Sequence, residues 1–305
     1  MLNKIIFIIF QILGIYAITF MLLHFIPGDP IQVMLGDSAS IADQDKLRSQ
    51  LGLDKPILDQ LMSSLLKIIQ GDFGTSIIRQ TPVLDSLVIA AKNTYLLAIT
   101  SLFIALIFGL AGGIIAAKNH MLLIDKIIMS ASIFFISIPH FFLGPLLIII
   151  FSIWLGWFPV NGMDSFHAII LPAFTLALGM IAVITKLTRN CMLELIESDV
   201  VRTARAKGLG EWVILIQHTF RLVLISIISI IGMQFGSLLS GAVITETIFS
   251  WNGLGMLLVE SIQTRDYTIT QACIFIIAIS YILINMITDL IYRLVDPRVK
   301  VGKFA

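Results

Sequence analysis

Asp199-Val-Val-Arg202-Thr203-Ala204-Arg205-Ala206-Lys207-Gly208-Leu-Gly-Glu211-Trp-Val-Ile-Leu-Ile-Gln-His218 is a basic, helix-forming island between two long apolar runs. The 305-residue chain is 58% hydrophobic and only 13% charged, with mean hydropathy +0.99. That is too little charge to cover a soluble protein of this size, so the expected class is a polytopic, all-α membrane protein. Within such a chain, the island is a segment that something in water must hold. The formal net charge of +1, with no basic tail and no aromatic–basic interleaving, argues against nucleic acid as a partner. Cys191 and Cys273 lie in or beside apolar segments and read as small buried residues rather than a disulfide or metal pair. The apolar run after Lys4 has no small-x-small cleavage site and reads as a retained first span.

Six segments are long and apolar enough to cross roughly 30 Å of hydrocarbon: Ile5–Ile26, Thr94–Ala117, Ile127 to Leu155, Ser165–Thr185, Leu222–Thr245 and Tyr267–Thr288. The third contains Pro139 and Pro145, which fits either a kinked long helix or a helix followed by a short re-entrant turn. An even number of spans puts both termini on one side. Regions 1–4, 118–126, 186–221 and 289–305 share that side and hold 13 basic and 7 acidic residues, against 7 basic and 12 acidic on the other. The excess of Lys and Arg places the termini and the island in the cytoplasm of a plasma-membrane protein.

On the opposite side, Pro27-Gly28-Asp29-Pro30 stops the first helix. Asp43–Leu51 then reads as a short polar helix, and Leu58, Leu61, Met62, Leu65 and Ile69 recur at helical spacing. Gly71-Asp72-Phe73-Gly74 reads as a turn. Region 27–93 is expected to be two short helices on the outer surface, within a single membrane domain covering 1–305. In the island, residues 199–207 form a helix with Asp199 at its amino end, and Gly208 and Gly210 bend the chain before Glu211 starts the next helix. Small residues (Ala204, Ala206, Gly208) flanked by Arg202, Arg205 and Lys207 suit close approach by another protein. On physics alone an ordinary positive-inside loop reads equally well.

The island resembles the coupling loop of ABC-transporter permeases, whose motif runs Glu-Ala-Ala, three residues, Gly. Thr203-Ala204-Arg205-Ala206-Lys207-Gly208 carries that core. Asp199-Val-Val-Arg202 is similar to the preceding Glu-Tyr-Val-Arg, and Ile216-Gln-His218-Thr-Phe-Arg221 to the Leu-x-His-x-x-Arg that follows. The proline usual a few residues later is replaced near Ser226. Further stretches resemble the peptide and nickel importer permeases: Leu22-Leu-His24-Phe-Ile-Pro27-Gly28-Asp29-Pro30, Leu51-Gly-Leu-Asp-Lys-Pro56, Gly71-Asp72-Phe73-Gly74-Thr-Ser76 and Ile138-Pro139-His140-Phe141. The same holds for Glu246-Thr-Ile-Phe249-Ser-Trp251-Asn252-Gly253-Leu254-Gly255, Arg265-Asp266-Tyr267 and Asp296-Pro297-Arg298.

The resemblance implies a type I importer permease of the bacterial inner membrane. Such a permease would bind no cofactor directly and would not be an enzyme; with no Gly-x-x-x-x-Gly-Lys-Ser/Thr loop, the chain is not expected to be the ATPase. ATP would be hydrolysed by two separate cytoplasmic subunits docked on Asp199, Arg202, Ala204, Arg205, Ala206, Lys207, Gly208 and Glu211. An extracellular solute-binding protein would meet the side carrying Asp29, Asp72, Glu246, Glu260, Trp251, Gly253, Gly255 and Asp266. The second half of the pore would be a related permease, a heterodimer rather than a homodimer. Gly109, Gly112 and Gly113 mark either that subunit seam or internal packing. The implied cargo is di- or oligopeptide, with nickel or a chelated metal as the alternative. His24, His140 and His167 are not at metal-ligand spacing. A secondary transporter would instead place ionisable groups inside its spans, and segments two to five carry no Asp, Glu, Lys or Arg.

Overall fold

The computed structural model describes residues 2–25, 31, 40–50, 52–76, 78–163, 165–196 and 198–295. The described chain is helical apart from its turns. The helices are α1 (Leu2–Phe25), α2 (Ile41–Gln50), α3 (Ile57–Ile69), α4 (Val83–Lys118), α5 (Leu123–Ser137), α6 (His140–Leu147), α7 (Ile170–Ile196), α8 (Asp199–Ala206), α9 (Glu211–Val213), α10 (Arg221–Phe249), α11 (Leu254–Gln263) and α12 (Tyr267–Val295). Among the described residues, three helices are long and apolar enough to cross a membrane, and up to five crossings result if each of two bent helix pairs counts as one. The chain divides into two compact units: 1–94 with 252–282, and 95–251 with 283–305.

The helices outrun the apolar segments that announce them. At 36 residues α4 is about 54 Å long. It begins eleven residues before Thr94, because Val83, Leu87 and Ala90 continue its buried stripe past Asp85 and Lys92. The third apolar run is broken: α5 ends at Ile138-Pro139, and the chain turns through 113° into α6 and a π-helical extension, Ile148–Trp154. Pro139 forbids α conformation at the residue before it, and Ile138 is extended at φ −88°, ψ 122°.

In the second unit α7 is the central helix. Its apolar window is 72% buried, against 28% for α4, and it packs on α5, α6 and α10. The glycines of α4 let it approach α7 closely. A Cβ on Gly109 would stand 2.8 Å from Ile184 Cβ, and one on Gly113 would stand 2.5 Å from Thr188 Cβ. Thr185 Oγ1 donates to the Gly109 carbonyl at 3.2 Å, a polar tie of the kind used between helices in lipid. Of the two readings of this glycine face, internal packing is therefore the one realised.

In the first unit α4 begins in a small hairpin. Thr75 pairs with Pro82, the Ser76 N–H donates to the Thr81 carbonyl at 2.9 Å, and the Val83 N–H donates to the Gly74 carbonyl at 3.0 Å. Gly74 has φ +77°, and a Cβ there would meet Thr268 at 3.3 Å. α3 buries none of its residues and leaves Leu58, Met62, Leu66 and Ile69 exposed along one face.

Candidate coupling site

α8 is short and sharply ended. Its carboxyl end is closed by two backbone bonds: the Gly208 N–H donates to the Arg205 carbonyl at 2.9 Å and the Leu209 N–H to the Ala204 carbonyl at 3.3 Å. With φ +76° at Gly208, this is a Schellman cap, which needs a residue content in the left-handed region. Gly208 is thus required by the backbone itself. No atom lies within 4 Å of where its Cβ, or that of Gly210, would be, so both face open space. Gly210 has an ordinary φ of −66° and starts α9.

Across this corner, Arg205 holds Glu211 with both ends of its fork: Nε donates to Oε1 at 2.8 Å and Nη2 to Oε2 at 3.2 Å. The pair raises the Arg205 pKa and lowers that of Glu211, chiefly through these hydrogen bonds. Arg202 has 79% of its side chain exposed and only a 3.6 Å contact to Asp199. Thr203, Ala206, Lys207 and Trp212 are also exposed. Ala204 is not. At 3% exposure it packs with Val201 and Ile214, fastening α8 to the chain that leads into α10. The expectation that Ala204 is a close-approach point is corrected accordingly, and the open small residues are Ala206, Gly208 and Gly210.

The outer signatures turn inward as well. Asp266 is 1% exposed and caps α12, accepting from the Ile269 N–H at 3.2 Å and from the Ser76 hydroxyl. Glu246 is 0% exposed, and Trp251, Gly253 and Gly255 are buried. Asn93 Nδ2 donates to the Asn252 carbonyl and the Leu254 N–H to Thr94 Oγ1, both at 2.8 Å, so this loop is stitched to α4. Five of the residues expected to face a binding protein are therefore parts of the chain's own interior. The Asp266 carboxylate is taken up by capping α12 and by the Ser76 hydroxyl. Asp72 is exposed, although its Oδ1 accepts from the Gly74 N–H at 2.8 Å, and exposed Glu260 meets Arg79 at 2.8 Å. Asp29 and Asp296-Pro297-Arg298 lie outside the described residues, as do the side chains of His24 and His140.

One cluster has no local signature in the sequence. Asp125, 3% exposed at the start of α5, takes both Nε and Nη2 of Arg189 from α7, at 2.9 and 2.8 Å. The two residues are 64 apart, and the only hint was an acid standing in a basic loop. The second unit also contains an open cavity of about 180 Å³ between α5, α7 and α10. Gln234 supplies the polar side chain among the residues lining it, beside Met180, Val183 and Leu238. No group of three or more His, Cys, Asp or Glu that could hold a metal occurs among the described residues.

The described residues thus form a helical protein with apolar, membrane-length helices and a capped, exposed basic loop between two long helices. The comparisons with known proteins are specific. Residues 109–301 match the family described as binding-protein-dependent transport system inner membrane component, and residues 1–99 match its N-terminal region. The chain is 39% identical over 284 residues, 93% of each protein, to the glutathione transport system permease protein GsiC of Escherichia coli K12. The same figures hold for that protein of Shigella dysenteriae serotype 1. Inward-facing structures of the MetNI methionine ABC transporter superpose with TM-scores of 0.60 and 0.59 at 18% and 20% identity, covering 69% of this chain and 96% of theirs. The chain belongs to the inner-membrane-component family of binding-protein-dependent transport systems, and its fold is that of a type I ABC-importer permease.

Proposed function

We propose that this permease imports short peptides or peptide-like thiols of the glutathione type, driven by ATP hydrolysis in partner subunits. The observation that carries the reading is its 39% identity over 93% of the chain to permeases named for glutathione transport. In this reading six helices cross the membrane with both termini in the cytoplasm, and a related second permease completes the pore. The exposed face of α8, with Arg202, Thr203, Ala206 and Lys207, seats in a groove of an ATP-binding subunit. On the far side, Asp72 and the Arg79–Glu260 pair are among the exposed charges offered to a solute-binding protein. A cavity lined by aliphatic side chains, glycine backbone and one amide, with no charged group, suits a low-affinity passage, leaving selection to the binding protein.

The test is uptake by the complete complex reconstituted in proteoliposomes with ATP inside and the binding protein outside. Glutathione, Ala-Ala, a pentapeptide and Ni²⁺ are offered separately. The reading predicts ATP-dependent uptake of glutathione or a peptide. Uptake of Ni²⁺ alone would move the chain to the metal branch, and uptake independent of ATP would overturn the mechanism.

A further inference from the structure

The short turn joining α4 to α5, residues 119–122, is gripped from both sides of the coupling loop. Upstream of the loop, ten residues before α8 begins, Arg189 holds Asp125 through two bonds of 2.9 and 2.8 Å. The Met121 N–H donates to the same carboxylate at 3.1 Å, with Met121 held at φ +67°. His120 Nδ1 lies 3.1 Å from Arg189 Nη2 and 3.3 Å from the Asp125 carboxylate, closing the knot. Downstream of the loop, Lys118 Nζ stands 3.9 Å from the ring centroid of Trp212, two residues past Gly210. Between these grips Ala117 packs with Met192, Leu215, Val223 and Ile227.

A buried ion pair is a poor way to gain stability, because its desolvation cost offsets the attraction, and an apolar pair of similar volume often serves as well. What a bidentate guanidinium–carboxylate pair does supply is fixed direction. Here that direction joins the first residues of α5 to the helix that becomes the coupling loop. The Trp212 contact joins the last residue of α4 to the loop's other end. Relative motion of loop and turn would have to break both.

We infer that Asp125 and Arg189, with Lys118 and Trp212, are positioning residues that make the 118–125 turn and the coupling loop one rigid body. Displacement of the loop is then delivered to α4 and α5 directly, and not only to α7 and α10 with which it is continuous. This rests on the coupling-loop reading above, and its failure is separable from that reading.

The test uses the assembled complex in nanodiscs, with Cys191 and Cys273 replaced by alanine and spin labels on cysteines placed at Leu123 and at Val213, which is in the loop but not among the docking residues of α8. Both sites are exposed. The wild-type inter-label distance is expected to stay the same in the nucleotide-free and ATP–vanadate-trapped states. In the apolar double variant Asp125→Leu/Arg189→Met, which keeps the volume, it is expected to shift or broaden on trapping. Glutathione uptake per ATP hydrolysed should fall about 5-fold or more, the lower end of typical coupling effects. Arg189→Lys, which keeps the charge and loses the fork, should fall between the two. A wild-type distance that changes on trapping overturns the rigid-body inference, as does a double variant with unchanged distance and unchanged uptake per ATP. Failure of the coupling reading itself would show elsewhere, as normal ATP-binding-subunit association in Gly210→Trp.

Discussion

The glycine corner separates two meanings of a small residue, and a pair of substitutions can tell them apart. At Gly208 the constraint is the backbone: φ is +76° and the space around it is open. Placing an L residue in this region costs about 1–2 kcal/mol, more for a β-branched one and less for Asn, whose side chain tolerates it. The alternative is to unwind the cap, which forfeits the Gly208–Arg205 and Leu209–Ala204 hydrogen bonds at about 1 kcal/mol each. Either route costs Gly208→Val about 2 kcal/mol. α8, at eight residues, has little helical stability of its own to absorb this. If docking needs the capped corner, the loss lowers affinity for the ATP-binding subunits by up to about 30-fold. Gly208→Asn should lose less than about 5-fold on the same scale. Gly210→Ala, at an ordinary φ and in open space, should bind like the wild type, whereas Gly210→Trp should block docking by bulk. Affinity is measured by titrating labelled ATP-binding subunit onto the permease in nanodiscs. Equal affinity for Gly208→Val and Gly208→Asn would refute the backbone argument. Wild-type affinity in Gly210→Trp would refute the docking face itself.

Asp266→Ala should act on stability rather than on binding-protein affinity. Losing a helix cap costs about 1 kcal/mol, and the Ser76 hydroxyl is stranded as well, so the melting temperature of the solubilised protein should drop while Asp266→Asn recovers part of it. Gly113→Ala should cost about 1–3 kcal/mol through overpacking, because its Cβ would stand 2.5 Å from Thr188 Cβ. A Thr188→Ala partner change should restore part of the thermal stability in a double-mutant cycle. The Glu211 carboxyl is held below its ordinary value by Arg205, so the pair contributes fully above the usual glutamate range of about 4.3 and is lost as pH falls through the folded value. Both groups are about half exposed, so the effect is modest. Amide exchange in 199–213 should become indistinguishable between wild type and Glu211→Gln at the acid end, with a difference only above it.

What the sequence showed and what it hid follow from how far each signal reaches. Uninterrupted apolar runs marked where chain can enter lipid, and Pro139 marked the break that α5 and α6 make. The ends were hidden because a helix needs only one buried stripe to continue. Val83, Leu87 and Ala90 carry α4 outward past Asp85 and Lys92, and Thr188 and Met192 carry α7 past Thr185. Carboxylates were the other blind spot. Asp266 and Glu246 read as surface charges because most acids are exposed, yet both are buried. A cap is a property of the helix it starts, and Asp266 differs from exposed Asp72 only in what folds over it. Asp125 and Arg189, 64 residues apart, meet because α5 packs directly along α7.

The arrangement bears on where the energy for transport enters. Segments 94–117, 127–155, 165–185 and 222–245 contain no Asp, Glu, Lys or Arg, and His140 and His167 are the histidines within them, so an ion gradient finds no carboxylate or fixed cation along them. The hydroxyls inside them largely bond back to their own helices, as Ser101 does to Leu97, Ser132 to Ile128 and Thr175 to Leu171, each at 2.7 or 2.8 Å. Charge instead gathers at the ends of the helices: Asp125 with Arg189, Arg205 with Glu211, Arg79 with Glu260. On the proposed mechanism, such a molecule responds to force at its ends rather than to ions at its middle. On the proposed cytoplasmic side, the capped corner after α8 leaves Arg202, Ala206, Lys207 and Gly210 open to a partner. A push from an ATP-binding subunit there needs a stiff arm behind it. The Ala204–Val201–Ile214 contact and the Asp125–Arg189 fork supply that stiffness on the two sides of the loop.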